Sequence, residues 1–391
     1  KQTMPSIIVL DKLSPDGLAL LDAAGRLGIS YEVKTGLSGQ ELKEALASHD
    51  GAICRSGVKI TADVLAGNHR LRAIVRAGVG TDNIDKQAAT RQGIVVMNTP
   101  AGNTVSTAEH AFTLLLALSR NVAPADASLR EKRWDRSKYM GVQLAGKTLG
   151  IVGMGRIGQA VASRARAFDM RVVVYDPFLA AERAGELGVE LFGSVREMLP
   201  ELDYLTVHTP LTDDTRHLIG KEELSLLKPG VRVVNCARGG IYDEEALLEG
   251  LESGVLAGVA LDVFETEPCT ESPLFGRSDV LVTPHLGAST EEAQSQVAIE
   301  GVNLLTDFLR TGTIRHSVNS SPIDPADLEA LRGFLDLGWR LGILLSQLDD
   351  QPPKAVSIAY RGEIASRNTR LITAAFAAGL LETALEDVNI I

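Results

Sequence analysis

Three side chains late in the chain have types and settings suited to moving a proton on a small hydroxy acid: Arg238 in NCARGG, Glu267 in DVFETEP and His285 in VTPHLG. An imidazole can take a proton from a hydroxyl and return it to a carbonyl in reverse. A nearby carboxylate stabilises the imidazolium and fixes the ring tautomer. A guanidinium presents a planar fork matched to a substrate carboxylate. Singly, each has an ordinary reading as a loop histidine, a solvated glutamate or a surface arginine. Their combined meaning depends on whether the fold brings them to one edge.

Each of the three follows a β-branched run: RVVNCA, GVALDV and VLVT. Ligands of open α/β sheets bind outside the carboxyl ends of the strands. Six runs in this part of the chain end on polar or special residues: Gly153, Asp176, His208 with Thr209, Arg238, Asp262 and His285. An earlier series alternates in the same way, with strand-like SIIVLD, YEVKTG, GAICRS and LRAIVRAG separated by helical DGLALLDAAGRLG, QELKEALASH and ITADVLAGN. This alternation predicts an α/β protein of two doubly wound parallel-sheet units, over about 5–100 and 101–284.

The second unit opens on GIVGMGRIGQAVASRARAFDMRVVVYDP. Gly153, Gly155 and Gly158 follow the apolar run TLGIV and lead into a helical pattern, the context that a dinucleotide fingerprint requires. Small residues there permit a tight turn and let a pyrophosphate approach a helix N-terminus. Asp176 ends the next strand, where a carboxylate accepts from both ribose hydroxyls and repels a 2′-phosphate, so NAD is expected rather than NADP. AGVGTDN, residues 77–83, imitates the fingerprint without its third glycine; it reads as a turn or as part of a ligand site. His208 is expected beside the cofactor with Thr209 and Pro210. His110 in STAEHAF is expected to be structural. No HExxH, CxxC or acidic cluster suggests a metal, and none is expected.

The totals exclude several classes. A net charge of −11 disfavours nucleic acid and anionic lipid as partners, so an anionic substrate needs a local basic pocket. Hydrophobic content of 45% with charged content of 23% is that of a folded chain, and 391 residues suggest two or three domains. The three cysteines, Cys54, Cys236 and Cys269, have neither zinc-site nor disulfide spacing, which predicts a reducing, cytosolic setting. The opening KQTMPSIIVLDK lacks a signal-peptide core, and AFTLLLALS, residues 111–119, is too short to span a membrane.

After about residue 320 the character changes. NSSPIDPADLEALRG reads as a linker, FLDLGWRLGILLSQL as a helix, AVSIAYRGEI as a strand, TRLITAAFAAGLLETAL as a helix, and the final VNII as a strand without its partner.

The motifs GVGTDNID, MNTPAGNTVSTAEHA, GMGRIG, NCARGG, ALDVFETEP and PHLGAST together resemble the D-isomer-specific 2-hydroxyacid dehydrogenases. Within that family the tail around YRGEI is similar to the intervening domain of the long-form members that act on 3-phospho-D-glycerate. The resemblance implies Arg238, Glu267 and His285 as the catalytic set. It places NAD on Val79, Gly153, Gly155, Arg156, Ile157, Gly158, Asp176, His208, Thr209, Cys236, Ala237, Arg238, Asp262 and His285 through Gly287 and Ala288. It implies Arg55, Ser56, Gly57, Arg76, Gly78, Asn103, Arg136 and Lys138 as substrate contacts.

The last two lie in LREKRWDRSK, which in the family reaches a neighbouring subunit and otherwise reads as a solvated helix face. The implied reaction is hydride transfer from C2 of 3-phospho-D-glycerate to NAD, giving 3-phosphohydroxypyruvate at the start of L-serine synthesis, in a cytoplasmic homodimer or homotetramer. The implied layout is a flavodoxin-like substrate-binding domain over 1–100 and 285–320, an inserted Rossmann domain over 101–284, and part of the intervening domain over 321–391. A serine-sensing ACT domain, usual in the long form, is not among these residues. Two rivals share the motifs: a hydroxypyruvate or glyoxylate reductase, and an NAD-binding transcriptional corepressor. The basic residues Arg55 and Arg76 and the tail argue against the reductase, and the tail disfavours the corepressor.

Overall fold

β-branched runs become strands where turn-forming residues bound them. The computed structural model describes residues 4–319, 325–348, 355–367 and 369–381. The chain divides into two units at Gly102/Asn103 and Ala293/Gln294.

Unit one holds five strands: β1 (Ser6–Val9), β2 (Ser30–Val33), β3 (Gly51–Cys54), β4 (Ala73–Arg76) and β5 (Val95–Asn98). All pair in parallel in the order β2-β1-β3-β4-β5, the flavodoxin-like order. β1, β3 and β4 are almost continuously apolar and buried, as a parallel sheet covered on both faces requires. Edge strand β2 is largely exposed and carries Glu32, paired with Lys34 at 3.0 Å, which discourages edge-to-edge association.

One face is covered by helix Glu291–Thr311, whose Val297, Ala298, Val302, Leu305 and Phe308 pack with Ile7, Ile53, Val75 and Met97. The approach is close enough that a Cβ on Gly51 would lie 2.9 Å from Leu305 Cδ1. The chain then runs antiparallel along β5: Asn98 N–H donates to the His316 carbonyl at 3.1 Å and Val318 N–H to the Val96 carbonyl at 2.8 Å.

Unit two holds β6 (Thr148–Val152), β7 (Arg171–Tyr175), β8 (Glu190–Leu191), β9 (Tyr204–Val207), β10 (Val231–Asn235), β11 (Leu256–Leu261) and β12 (Val280–Val282). They form a parallel sheet ordered β12-β11-β10-β9-β6-β7-β8, so the direction of winding reverses between β6 and β9. That reversal is where a doubly wound sheet opens a crevice for a ligand. Successive strand residues feed two cores: Val173, Val233 and Val259 lie in one, Val174, Val234 and Ala260 in the other. The apolar face of helix Thr104–Ser119 supplies Ala108, Ala111, Phe112 and Leu115 to the second core.

Several elements differ from the sequence expectation. β5 and β8 are additional strands. The expected linker over residues 319–333 is helical from Pro325, the first residue of helix Pro325–Leu348; proline suits that position because its missing N–H has no helical partner there. The expected strand AVSIAYRGEI is not one. Residues 355–361 have no regular structure and Gly362–Ser366 form a 3-10 turn. The alternating pattern is present, but no neighbouring strand among the described residues offers a ladder, and an unpaired strand is not stable. Helix Thr369–Leu381 packs against Pro325–Leu348 so closely that a Cβ on Gly379 would meet the Trp339 carbonyl oxygen at 2.0 Å. VNII lies outside the described residues. Among those described, no helix is long and apolar enough to cross a membrane.

Candidate active site

In unit two the turn that carries Arg238 leaves β10 under the control of the preceding residue. Buried Asn235 accepts from Ala237 N–H at 2.9 Å and donates to the Arg238 carbonyl at 2.8 Å, so one side chain closes the turn. Gly239 then passes so near β11's continuation that a Cβ would lie 1.8 Å from the Phe264 carbonyl oxygen. Only glycine permits this approach, which sets the Arg238 turn against the segment that carries Glu267.

Glu267 Oε1 accepts from Phe264 N–H at 3.0 Å, and Oε2 lies 2.7 Å from His285 Nδ1. With the carboxylate on Nδ1, that nitrogen carries the proton and Nε2 is the ring's acceptor. Burial acts to raise the Glu267 carboxyl. Hydrogen bonds from His285 and Phe264 N–H, with the charges of His285 and Arg238, outweigh it and hold the group below the usual glutamate range. Glu267 is thus a carboxylate near neutrality.

His285 sits at φ 56°, in the left-handed region that a residue with a Cβ enters only when its surroundings fix it. Asp262 is what fixes it. Its carbonyl accepts His285 N–H at 2.9 Å. Its fully buried carboxylate accepts from Leu286 N–H (2.6 Å), Gly287 N–H (2.8 Å) and the Thr283 hydroxyl (2.6 Å), with His110 Nε2 3.2 Å away. Burial alone would raise this carboxyl, but the donors His110, Thr283, Leu286 N–H and Gly287 N–H hold it below the usual aspartate range. The motifs marked Asp262 as a cofactor contact; its work as the organiser of residues 283–287 was not visible in them. The same holds for Asn235 and Thr283. An Asx residue closing a strand end was the available signal.

The residues expected at the cofactor form a second group at the same sheet edge. Gly153, at φ 93°, approaches β9's continuation so that a Cβ would lie 2.7 Å from the His208 carbonyl oxygen, and one on Gly158 would lie 2.1 Å from the Gly153 carbonyl oxygen. A Cβ on Gly155 would meet nothing within 4 Å. Gly155 therefore faces open space at the start of helix Arg156–Ala167, whose first turn has no side-chain cap to take its N–H groups. Asp176 accepts from Met154 N–H at 2.7 Å and from Phe178 N–H at 2.8 Å, closing the glycine turn as well as ending β7.

His208 Nδ1 and Thr209 Oγ1 are buried without partners. His208 Nε2 lies 3.1 Å from Thr206 Oγ1, and its desolvated surroundings push it down to about 4, so it is a neutral donor or acceptor. These orphaned groups, the open Gly155 and the bare helix start fit a bound dinucleotide. Cys236 is buried beside Asp262, and burial first, then that charge, raises its thiol well above the ordinary value. The thiol therefore stays protonated near neutrality.

In unit one, Arg55 follows β3 and Arg76 ends β4, the register partner of Cys54. Arg76 folds over Gly78, where a Cβ would lie 1.6 Å from Nη1. Val79 offers its carbonyl to Asn98 Nδ2 at 2.6 Å. In unit two, Asn103 precedes helix Thr104–Ser119 with its Oδ1 buried and unpartnered. Arg136 and Lys138 lie on the exposed turn Arg136–Tyr139, where Lys138 pairs with Asp135 at 3.2 Å.

The profile of the D-isomer specific 2-hydroxyacid dehydrogenase NAD binding domain matches residues 112–287. The D-3-phosphoglycerate dehydrogenase of Methanocaldococcus jannaschii is 43% identical over 382 residues, which cover 98% of this chain and 72% of that protein. The chain belongs to the D-isomer-specific 2-hydroxyacid dehydrogenases. This dehydrogenase also matches, at residues 330–391, the profile of the D-3-phosphoglycerate dehydrogenase intervening domain. The D-3-phosphoglycerate dehydrogenase of Bacillus subtilis is 42% identical to it over 97% of this chain and 71% of that protein. The D-lactate dehydrogenase of Aquifex aeolicus, solved with NAD and lactic acid, is similar to the dehydrogenase with a TM-score of 0.70 at 27% identity, over 81% of this chain and 99% of that one.

Proposed function

We propose that this NAD-dependent dehydrogenase oxidises 3-phospho-D-glycerate at C2 to 3-phosphohydroxypyruvate, the step that opens L-serine synthesis. The observation that carries this reading is the match of residues 330–391 to the intervening domain of D-3-phosphoglycerate dehydrogenases. The catalytic motifs alone are shared with hydroxypyruvate and glyoxylate reductases.

In this reading His285 Nε2 takes the C2 hydroxyl proton in oxidation and returns it to the carbonyl oxygen in reduction. Glu267 holds Nδ1–H at 2.7 Å and compensates the charge that the ring gains. Arg238 binds the substrate carboxylate, which orients C2. When bound, NAD supplies the acceptor for the hydrogen that leaves C2 with its electron pair. Gly153, Gly155, Gly158, Arg156 and Ile157 would hold its pyrophosphate, Asp176 its ribose, and His208, Thr209, Cys236, Ala237 and Asp262 would line its nicotinamide side with Val79, Leu286, Gly287 and Ala288. Arg55, Ser56, Gly57, Arg76, Gly78 and Asn103 would take the substrate's remaining anionic group.

The reading includes a homodimer or homotetramer in the cytosol. Trp134 and Met140 are 81% and 86% exposed, with Val122 and Leu129 also exposed in the same stretch, an apolar surface that a second copy would cover. Arg136 and Lys138 would then reach the partner's substrate. All three cysteines are free thiols, as suits a reducing compartment.

Steady-state reduction of 3-phosphohydroxypyruvate, hydroxypyruvate and glyoxylate with NADH tests the substrate. A strong kcat/KM preference for the phosphorylated ketone supports the reading. Equal or reversed preference makes the protein a general 2-ketoacid reductase, and no turnover favours the corepressor-like alternative.

A further inference from the structure

The turn that carries Arg55 is clamped by two residues that the chemistry has not used. The first backbone N–H beyond β3, that of Arg55, donates to Asp11 Oδ2 at 2.5 Å. Asp11 lies just past the end of β1, the parallel neighbour of β3. Its other oxygen presses on Gly57, where a Cβ would sit 2.0 Å from Oδ1. This contact explains the glycine in CRSG: any side chain there would displace the carboxylate.

Asn83 supplies the second clamp. Its amide donates to the Arg55 carbonyl at 2.7 Å and to the Val58 carbonyl at 2.8 Å, and its own carbonyl accepts from Ile60 N–H at 2.8 Å. Four hydrogen bonds therefore fix the backbone from Arg55 to Ile60. Cys54 and Arg76 are register partners at the ends of β3 and β4, and Asp11 follows the end of neighbouring β1, so all three lie at one sheet edge. Burial pushes the Cys54 thiol up to about 12.

A polar turn of this kind would otherwise have to be ordered when a ligand binds, and that cost is subtracted from affinity. We propose that Asp11 and Asn83 are positioning residues that hold the Arg55–Val58 turn in its binding form before the substrate arrives. The proposal rests on the assignment of Arg55 to the substrate's anionic group. A charged acceptor suits Asp11 because hydrogen bonds to carboxylates are the stronger ones. Asn83 must bridge two carbonyls, and a carboxamide NH₂ has two donors to do so.

The test is steady-state reduction of 3-phosphohydroxypyruvate by the full chain, with NADH binding followed by fluorescence as a check on folding. Arg55→Gln is expected to raise the ketone KM by about tenfold or more. Asp11→Ala and Asn83→Ala should each raise it by about five- to tenfold, with smaller changes in kcat and in NADH affinity. Asp11→Asn keeps an acceptor oxygen and should restore most of the loss. The double variant Asp11→Ala with Arg55→Gln should be little worse than Arg55→Gln alone, because the first change acts through the second residue. Additive effects, or an unchanged ketone KM in both Asp11→Ala and Asn83→Ala while Arg55→Gln raises it, would overturn the positioning role. Should Asp11→Ala not fold, Asn83→Ala carries the same comparison. An unchanged KM in Arg55→Gln itself would instead remove the substrate assignment, and the positioning role with it.

Discussion

His285 is held at both ends of its side chain's leverage: Glu267 Oε2 lies 2.7 Å from its ring nitrogen Nδ1, and the Asp262 carbonyl takes its main-chain N–H at 2.9 Å. One contact sets the tautomer and the charge balance, the other the backbone at φ 56° from which the ring projects. His285→Asn should lower kcat by about 10²- to 10⁴-fold, the usual worth of a positioned acid–base group. NADH affinity, measured by fluorescence, should be kept. Turnover near that of the parent would remove His285 from the chemistry.

Glu267→Gln separates charge from hydrogen bonding. The amide oxygen can still accept from Nδ1–H, so the tautomer survives, while the counter-charge to protonated His285 is lost. Ketone reduction needs the charged ring, so kcat should fall by about tenfold or more while NADH affinity, measured by fluorescence, is kept. An unchanged kcat would mean that the carboxylate acts through geometry alone.

Asp262→Asn should destabilise the protein by about 1–3 kcal/mol, since an amide cannot accept from every donor that now meets the buried carboxylate. The pH dependence follows from the lowered carboxyls of Asp262 and Glu267. Their contribution is complete above the ordinary carboxylate values of 3.8 and 4.5 and is lost as pH falls through the lower folded-state values. Thermal unfolding should therefore show no loss from these groups between about pH 7 and about pH 5, and a decline below about pH 4, shallower in Asp262→Asn. An equal acid slope in the two proteins would contradict the assignment.

Asp176→Ala should cut kcat/KM for NAD and raise the NADP/NAD ratio by about tenfold or more, because a carboxylate at this position would accept from a ribose and repel a 2′-phosphate. Since Asp176 also receives Met154 N–H and Phe178 N–H, the variant should bind either cofactor less firmly. An unchanged preference would leave the residue with a purely structural task.

Much of this was legible in the residues. Uninterrupted apolar runs such as TLGIV and GAIC announce parallel strands covered on both faces, and the residues that follow them lie at the edge that carries the candidate site. Less legible were the interactions that cross from strand to strand. Nothing local in ALDVFETEP tells that Asp262 will receive the backbone of residues 286 and 287, nor in VLDK that Asp11 will hold the turn after β3. AVSIAYRGEI misled because alternation reports a surface that could pair, while a strand also needs a partner. Pro325 misled in another way: the same residue that breaks a helix interior begins one well.

The most direct measurement is turnover of 3-phospho-D-glycerate bearing deuterium at C2, with NAD as acceptor and the reduced cofactor analysed for label. Direct hydride transfer from C2 predicts stoichiometric recovery of deuterium in the reduced cofactor, with the rate collapsing in His285→Asn. Release of the label to solvent, or reduction of NAD at an undiminished rate in that variant, would contradict it.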